Sequence, residues 1–174
     1  MPIIKILEES SSLPVDIESI RLFLKIDYEE EDESIIRSFK TAIKQCELMI
    51  GRSLVEKKYQ YSFYSEIRNS IHLLYGPVLL VESVQTLNSR NEEALLEEED
   101  YFLDGMSDNL IFKKTIGDFY RLDIVYRAQM ETITDDLKQA ILFHTAKIFE
   151  DKLGYSPIPK ASYSIYRKYK TTRL

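Results

Sequence analysis

The spacing of apolar residues changes twice along the chain, and these changes limit the folds that are open to it. Before Gly51 apolar residues recur every three to four positions, the period of an amphipathic helix. Between Tyr59 and Tyr126 short apolar runs alternate with polar residues or are separated by Gly and Pro, as in antiparallel strands. After Thr134 the helical period returns. This order indicates helices and an antiparallel sheet rather than a parallel α/β fold.

Two helices are predicted before the strands. Asp16 has the short acceptor side chain of an N-cap, and the helix after it carries one apolar face, formed by Ile17, Ile20, Phe23 and Leu24. A longer second helix opens on an acidic run at residues 29–33, which suits the positive end of the helix dipole. Gly51 is expected to end this helix in the left-handed conformation.

The middle of the chain predicts strands and turns, with one further helix after them. The strand candidates are residues 59–63, 71–75, 78–87, 101–103, 109–112 and 121–126. Val81 and Val84 break the alternation of the third candidate and predict a bulge. Residues 91–100 are expected to form an exposed loop or hairpin end. Thr134 is expected to cap the last helix and Gly154 to end it.

These elements predict an α+β fold that is mainly helical. We expect two N-terminal helices, a small antiparallel β region, a C-terminal helix and an extended tail. A chain of 174 residues is short enough to form one domain. The expected organisation is an irregular lead-in over residues 1–14, a single domain over 15–153 and a basic, tyrosine-rich tail over 154–174.

Charge is distributed unevenly along the chain. The net charge is −6, yet residues 154–174 carry five basic side chains and no acidic one. Residues 1–153 carry 18 basic and 29 acidic side chains. Such an acidic body repels phosphate backbones, which argues against a general nucleic-acid binder. The basic tail, with tyrosines at every third position from residue 163 to residue 169, is a separate feature.

No catalytic or metal-binding motif is apparent in the sequence. One cysteine and two distant histidines cannot form a zinc site, and the five glycines are scattered singly. Cys46 and His144 lie on apolar helix faces, so we expect both to be core residues. We therefore predict no enzyme, no metal and no cofactor. An unrecognised hydrolase is disfavoured because no nucleophile–base pair can be named.

Localisation is predicted from the same composition. No stretch approaches ~18 consecutive apolar residues, so no membrane span is expected. The N-terminus lacks the features of a secretory signal, and a single cysteine cannot form an internal disulfide. We expect a cytoplasmic protein.

Four groups of motifs occur in a fixed order along the chain. The first is residues 15–27, the acidic stretch 31–36 and the helix end 50–54; the second is residues 75–78 with 81–84; the third is residues 124–128 with 134–142; the fourth is Tyr166-Arg167 with Arg173-Leu174. In this order they resemble the head–tail connector proteins of tailed bacteriophages. These adaptor or head-completion proteins, associated with DNA packaging, also occur in prophages and gene transfer agents. The chain departs from them at Gln129, where the family has glycine.

The resemblance implies a structural virion or prophage protein rather than an enzyme. Members form a homo-oligomeric ring, following portal symmetry, that lies under the portal protein, extends the DNA channel and joins head to tail. The implied partners are further copies of the chain, the portal protein and a tail-side completion protein. DNA would pass through without specific binding, and the protein would be part of the virion.

Two sets of residues are candidates for these contacts. The tail is expected to dock on the portal or on a neighbouring subunit through Tyr163, Tyr166, Arg167, Lys168, Tyr169, Arg173 and Leu174. The acidic residues expected at a subunit interface or the channel lumen are Glu29, Glu30, Glu31, Glu97, Glu98 and Glu99, for which plain solubility is the alternative. The alternative function is a nucleic-acid-binding module, in which the basic tail stacks on bases and contacts phosphates.

Overall fold

The computed structural model forms two compact units whose segments interleave along the sequence. Unit 1 comprises Met1–Ser11 and Val55–Met130, and unit 2 comprises Ser12–Leu54 and Glu131–Leu174, where one domain over 15–153 was predicted. Of the described residues 35% are helical and 30% are in strands, so the prediction of a mainly helical fold is wrong. The structure describes residues 2–64, 69–114, 116–117, 119–151 and 157–171.

Unit 1 contains two antiparallel sheets. Within the described ranges its strands are β1 (Ile3–Glu9), β2 (Lys57–Phe63), β3 (Ser70–His72), β4 (Val78–Leu87), β5 (Glu93–Leu95), β6 (Tyr101–Asp104), β7 (Asn109–Phe112) and β8 (Arg121–Ala128). The larger sheet has the order β1-β2-β8-β4-β5, and the smaller one has the order β3-β7-β6. The bulge predicted in β4 is confirmed, because the register with β8 shifts between Val81 and Ser83.

Strand β1 occupies the segment that was predicted to be an irregular lead-in. Its register with β2 runs from Ile3 opposite Ser62 to Glu9 opposite Lys57. Only Ile4 is half-buried, and the other residues of the strand are exposed. The strand therefore exists through long-range backbone pairing at a sheet edge. Local apolar alternation, the signal by which strands are recognised in a sequence, is missing here.

The core of unit 1 is built around the central strand β8. Tyr126 is fully buried, stacks on Tyr59 at 5.4 Å between ring centroids, and donates a hydrogen bond of 2.6 Å to the carbonyl oxygen of Leu74. Both large apolar area and a satisfied hydroxyl favour this position for tyrosine. The other core residues are Tyr61, Ile71, Leu73, Val78, Val84, Tyr101, Leu110, Phe112, Leu122, Ile124 and Ala128.

One arginine on β8 links four segments of unit 1. The Arg127 guanidinium contacts carboxylate oxygens of Glu8 at 2.7 Å, Glu56 at 3.0 Å and Glu82 at 2.6 Å. Hydrogen bonds to these carboxylates, led by that of Glu8, raise the pKa of Arg127. Lys58 on β2 joins the network by contacting Glu82 at 2.7 Å. Because Glu8 belongs to β1, the network attaches this exposed edge strand to the sheet.

The segment predicted to be an exposed loop or hairpin end, residues 91–100, is exposed except at Leu96 and Asp100. It includes the short strand β5, which pairs with the end of β4, and a 3-10 turn at Glu98–Asp100. A strand of three paired residues is too short to be recognised from a sequence pattern.

Unit 2 is helical in its described part. The helices are α1 (Ile17–Leu24), α2 (Asp32–Ile50), α3 (Asp135–Glu150) and α4 (Lys160–Tyr169). The predicted cap at Asp16 is confirmed, since its Oδ1 accepts a hydrogen bond of 2.8 Å from the backbone N–H of Ser19. Gly51 ends α2 at a φ of 72°, as predicted. Thr134 occupies the N-cap position of α3, whereas Gly154 lies outside the described residues.

Helix α4 replaces the predicted extended tail, so that part of the predicted fold is wrong. It packs on α3 and α2, with Ser162 and Tyr166 buried four positions apart. After it, the Thr171 backbone N–H donates a hydrogen bond of 2.9 Å to the carbonyl oxygen of Ile50. Two buried residues are too few to give a helical apolar pattern in a basic segment. The helix depends on tertiary packing instead.

A tight turn before β4 yields a stability prediction. The Oδ1 atom of Asp108 accepts a hydrogen bond of 2.8 Å from the Val78 backbone N–H, and a Cβ atom at Gly76 would collide with the Asp108 carboxylate. Gly76→Ala should displace the carboxylate and lower the free energy of unfolding by about 1–3 kcal/mol in urea titrations. Gly105→Ala is the control, because nothing lies within 4 Å of the added atom. Equal stability of the two variants would contradict the role given to Asp108.

Candidate assembly interface

The structure separates the three tail tyrosines that the sequence grouped together. Tyr163 is 47% exposed, whereas Tyr166 is 0% exposed and belongs to the core of unit 2. Tyr169 is half-buried. Residues three positions apart in a helix differ by about 300° around its axis, which is about 60° short of a full turn. The three side chains therefore occupy different environments. Tyr166 is therefore not available to a partner, in contrast to the predicted docking role.

Tyr166 packs among polar and sulfur groups of the other helices. Its hydroxyl lies 3.4 Å from Nδ1 of His144 and donates toward the carbonyl oxygen of Ala140, also at 3.4 Å. His144 is a core residue as predicted; it is fully buried, and its Nε2 has no hydrogen-bond partner among the described residues. Burial lowers the pKa of His144 to about 4 and raises the pKa of Cys46 to about 12. Both groups are neutral near pH 7, which suits a packed core rather than catalysis.

Tyr169 fastens the end of α4 to the beginning of α3. Its hydroxyl donates a hydrogen bond of 2.6 Å to Oδ1 of Asp136 and lies 2.6 Å from the hydroxyl of Thr134. Hydrogen bonds from Thr134 and then Tyr169 lower the pKa of Asp136. This group of side chains fixes the orientation of α4 on unit 2.

The side chains of α4 that remain exposed are mainly basic. Arg167 and Lys168 are exposed beside Tyr163, as are Lys160 and Lys170. Arg173 and Leu174, also predicted to dock, lie outside the described residues. A helical face with one aromatic ring and three cations, followed by Lys170, thus takes the place of the predicted extended tail.

The two acidic sets lie on different units. Glu29 and Glu30 are exposed and Glu31 is half-buried, just before α2 begins. In unit 1, Glu97, Glu98 and Glu99 are exposed and line a groove of about 660 Å³ that also contains Leu95 and Tyr101. Among the described residues, the first set has a cation nearby, with Glu29 at 3.7 Å from Arg21, and no ion pair joins the second set. The placement of both sets at a subunit interface or the channel lumen stays a prediction.

Sequence reasoning missed a basic stripe on α2, formed by Arg37, Lys40 and Lys44. All three side chains are exposed, and they line a shallow groove of about 420 Å³ together with Glu33, Ile36 and Thr41. Their spacing of three and four positions was a sufficient signal, since it places them on one helix face. The net negative charge of the body concealed it.

No arrangement that suits a metal ion or a membrane span occurs in the described part of the chain. Groups of three or more His, Cys, Asp or Glu side chains with suitable geometry are absent there. Likewise, none of the described helices has the length and apolarity needed to cross a bilayer.

The placement of the tail tyrosines predicts that two substitutions differ strongly in their effect on stability. Tyr166→Ala should lower the free energy of unfolding by about 3–5 kcal/mol, because it leaves a cavity in the core. Tyr163→Ala should change it by less than about 0.5 kcal/mol, because the ring is at the surface. Chemical denaturation of both variants checks this. Similar stabilities would mean that α4 is not part of the packed unit.

The buried His144 predicts loss of stability in acid. Its folded-state pKa of about 4 lies below the ordinary 6.5, so the unfolded state binds the proton more readily. The contribution is fully present above pH 6.5 and is lost as the pH falls toward 4, up to about 3 kcal/mol. The difference in unfolding free energy between wild type and His144→Phe, measured from pH 7.5 to 4, should shrink accordingly. A difference that is independent of pH would contradict this burial.

Known sequences and known structures give different results when compared with this chain. No protein-family model matches the sequence, and no curated protein matches it significantly. The fold, however, matches solved structures, and three of these matches cover nearly all of this chain and of its counterparts.

All three structures come from gene transfer agent (GTA) particles. A chain in the neck of an empty GTA particle, computed with C6 symmetry, has a TM-score of 0.82 at 14% identity, covering 99% of this chain and 97% of that one. A chain in the virion of a native particle has a TM-score of 0.80 at 15% identity, with 98% and 96% covered. The neck of a native particle, computed with C12 symmetry, gives 0.71 at 14% identity, with 97% of each chain covered. The chain thus has the fold of GTA neck proteins, which confirms the resemblance to the head–tail connector family.

Proposed function

We propose that this chain is a structural subunit of a head–tail neck, forming a ring under the portal protein that extends the DNA channel. The observation that carries the proposal is the match to a neck chain over 99% of this chain and 97% of its counterpart at a TM-score of 0.82. A match that covers nearly all of both chains favours the same architectural role.

Oligomerisation is supported by the symmetry of the neighbours and by the surface of this chain. The neighbouring neck structures were computed with C6 and C12 symmetry, which are cyclic arrangements. Both units here expose large apolar side chains, including Met106 in unit 1 and Leu22, Leu48 and Phe143 in unit 2. Exposed apolar groups of this size are typical of surfaces that other protein chains cover. We therefore assign the chain a homo-oligomeric ring whose copy number follows the portal.

Docking on the portal, or on an adjacent subunit, is assigned to the exposed face of α4. Tyr163 supplies a flat apolar ring, and Arg167 and Lys168 supply cations for acidic partners. Tyr166 and Tyr169 contribute by holding the helix in place, through core packing and the contact with Asp136. Arg173 and Leu174 are included in the proposed docking surface on the basis of the sequence alone. A helix held in its binding orientation loses less entropy on docking than a flexible tail does.

The acidic body accords with passive passage of DNA through the ring. With 29 acidic and 23 basic side chains, the chain as a whole does not attract phosphates. A surface that does not hold phosphates allows DNA to move through without specific binding. We place Glu29, Glu30 and Glu31 at the lumen or at a subunit boundary on the same argument.

The nucleic-acid-binding alternative has less support from the structure than it had from the sequence. It requires exposed aromatic rings on which bases stack. Of the tail tyrosines, Tyr166 is buried and Tyr169 is bonded to Asp136, which leaves Tyr163 as the exposed ring. Because Arg167 and Lys168 remain exposed, weak and salt-dependent DNA binding would still be measurable if this function were correct.

Assembly on the portal tests the proposed function. The purified chain should form rings on the portal of the same particle, visible by negative-stain microscopy and native mass spectrometry. The triple variant Tyr163→Ala, Arg167→Glu, Lys168→Glu should bind the portal at least about tenfold more weakly, since the apolar anchor and two cations are lost. Deletion of α4 is unsuitable because it would remove core residues.

A control variant in unit 1 carries the same kinds of change. It also removes one exposed ring and reverses two exposed cations, through Tyr120→Ala, Arg90→Glu and Lys113→Glu. This control should bind as wild type does. If the α4 variant also binds normally, docking through α4 is wrong. If the wild-type chain neither forms rings nor binds the portal, the proposed function is wrong.

A further inference from the structure

The basic stripe on α2 is an exposed helix face. Arg37, Lys40 and Lys44 are exposed and lie one helical turn apart, spanning about 10 Å along the axis. No carboxylate oxygen lies within ion-pair distance of these three cations among the described residues. The opposite face of α2 packs into unit 2 through residues such as Phe39 and Ile43. The stripe is thus the outward face of the longest helix.

The same face also presents apolar groups. Ile36 lines the groove beside the three cations, and Leu48, one turn beyond Lys44, is 61% exposed. Exposed leucine at the end of a row of cations gives the face an apolar contact point as well as charge. Solubility alone would not require such a leucine.

A surface of opposite charge and similar construction occurs in unit 1. Glu97, Glu98 and Glu99 are consecutive, exposed and without an ion pair among the described residues. Their neighbour Asp100 differs, because Lys114 lies 3.5 Å from it. Leu95, which is 62% exposed, lines the same groove as the three glutamates. This surface therefore offers three free carboxylates and one exposed leucine.

We propose that the α2 stripe of one copy binds the acidic segment Glu97, Glu98 and Glu99 of the next copy. The inference rests on the proposed ring and names the residues that join its subunits. Three unpaired cations face three unpaired carboxylates, and Leu48 and Leu95 supply the apolar contact between them. Because two different surfaces of the chain meet, the contact is heterologous, and successive copies repeat it until the ring closes.

Charge in this contact mainly selects the partner and its orientation. Exposed ion pairs individually contribute little, whereas like charges brought together repel and prevent association. Reversing all charges of one surface should therefore strongly reduce ring assembly. Reversing the charges of both surfaces should restore it. Assembly should also weaken as salt rises from 0.1 M to 1 M, where the screening length falls from about 10 Å to about 3 Å.

Two charge-reversed variants test the pairing. The first carries Arg37→Glu, Lys40→Glu and Lys44→Glu, and the second carries Glu97→Lys, Glu98→Lys and Glu99→Lys. Each alone would place like charges against like, so each should lose at least about 90% of the rings formed on the portal. An equimolar mixture should restore the rings, because each altered surface then meets its complement on the other variant. Native mass spectrometry should find the two variants alternating in equal numbers.

Matched controls separate this pairing from an effect of net charge. One control reverses three exposed cations of unit 1 and carries Lys5→Glu, Arg90→Glu and Lys113→Glu. The other control reverses three exposed acids of unit 2 and carries Asp27→Lys, Glu131→Lys and Glu150→Lys. Both controls should assemble as wild type does. Circular dichroism and denaturation of every variant establish that the fold is retained.

The outcomes distinguish this inference from the function on which it rests. If wild type forms rings and either reversed variant also does, or if the mixture fails to restore them, the pairing is wrong while the ring function stands. If the α2 variant loses affinity for DNA but assembles normally, the stripe binds phosphates instead, and the pairing is again wrong. If wild type forms no ring, both proposals are wrong.

Discussion

The pairing of β8 with strands on both sides is the interaction on which unit 1 depends. Strands β2 and β4 pair with β8 on its two sides, and β1 and β5 are attached beyond them. Tyr126 adds a buried ring and a satisfied hydroxyl at the centre of the sheet. Arg127, the next residue, binds three carboxylates on the other face, including one from β1. One strand thus supplies backbone pairing, core and charge network together, which explains why short and exposed strands persist around it.

Unit 2 depends in a similar way on the last described helix. Tyr166 places the hydroxyl and ring of α4 among buried groups of α3 and α2, and Tyr169 bonds to Asp136 at the beginning of α3. The exposed cations of α4 follow from this packing, because the helix can bury only one face. The segment that the sequence predicted to be an extended tail is consequently a core element with an exposed outer face. Under the proposed function, stability and assembly are therefore coupled in the same ten residues.

The surface chemistry suits a protein that is surrounded by other proteins rather than one that transforms a substrate. Buried His144 and Cys46 are held neutral by their surroundings, so the groups most capable of catalysis serve as packing. Most charged groups are instead exposed, and they include an acidic segment at Glu97, Glu98 and Glu99 in unit 1 and basic faces on α2 and α4 in unit 2. Opposite charges on separate surfaces of one chain favour head-to-tail association of copies, which fits a neck ring.

The sequence by itself determined the features that have local causes. Asp16 and Gly51 mark helix ends because their caps involve neighbouring residues, and β2 follows from alternation within its segment, whereas β4 and β7 follow from apolar runs bounded by turn residues. The exposure of Glu97, Glu98 and Glu99 follows from their charge. Tertiary structure alone decided that Ile3–Glu9 is a strand, that Lys160–Tyr169 is a helix, that Tyr166 is buried and that the chain divides into two units. Each of these depends on partners fifty or more positions away in the sequence, or on the packing of whole helices, and such contacts leave no periodic trace in the segment itself.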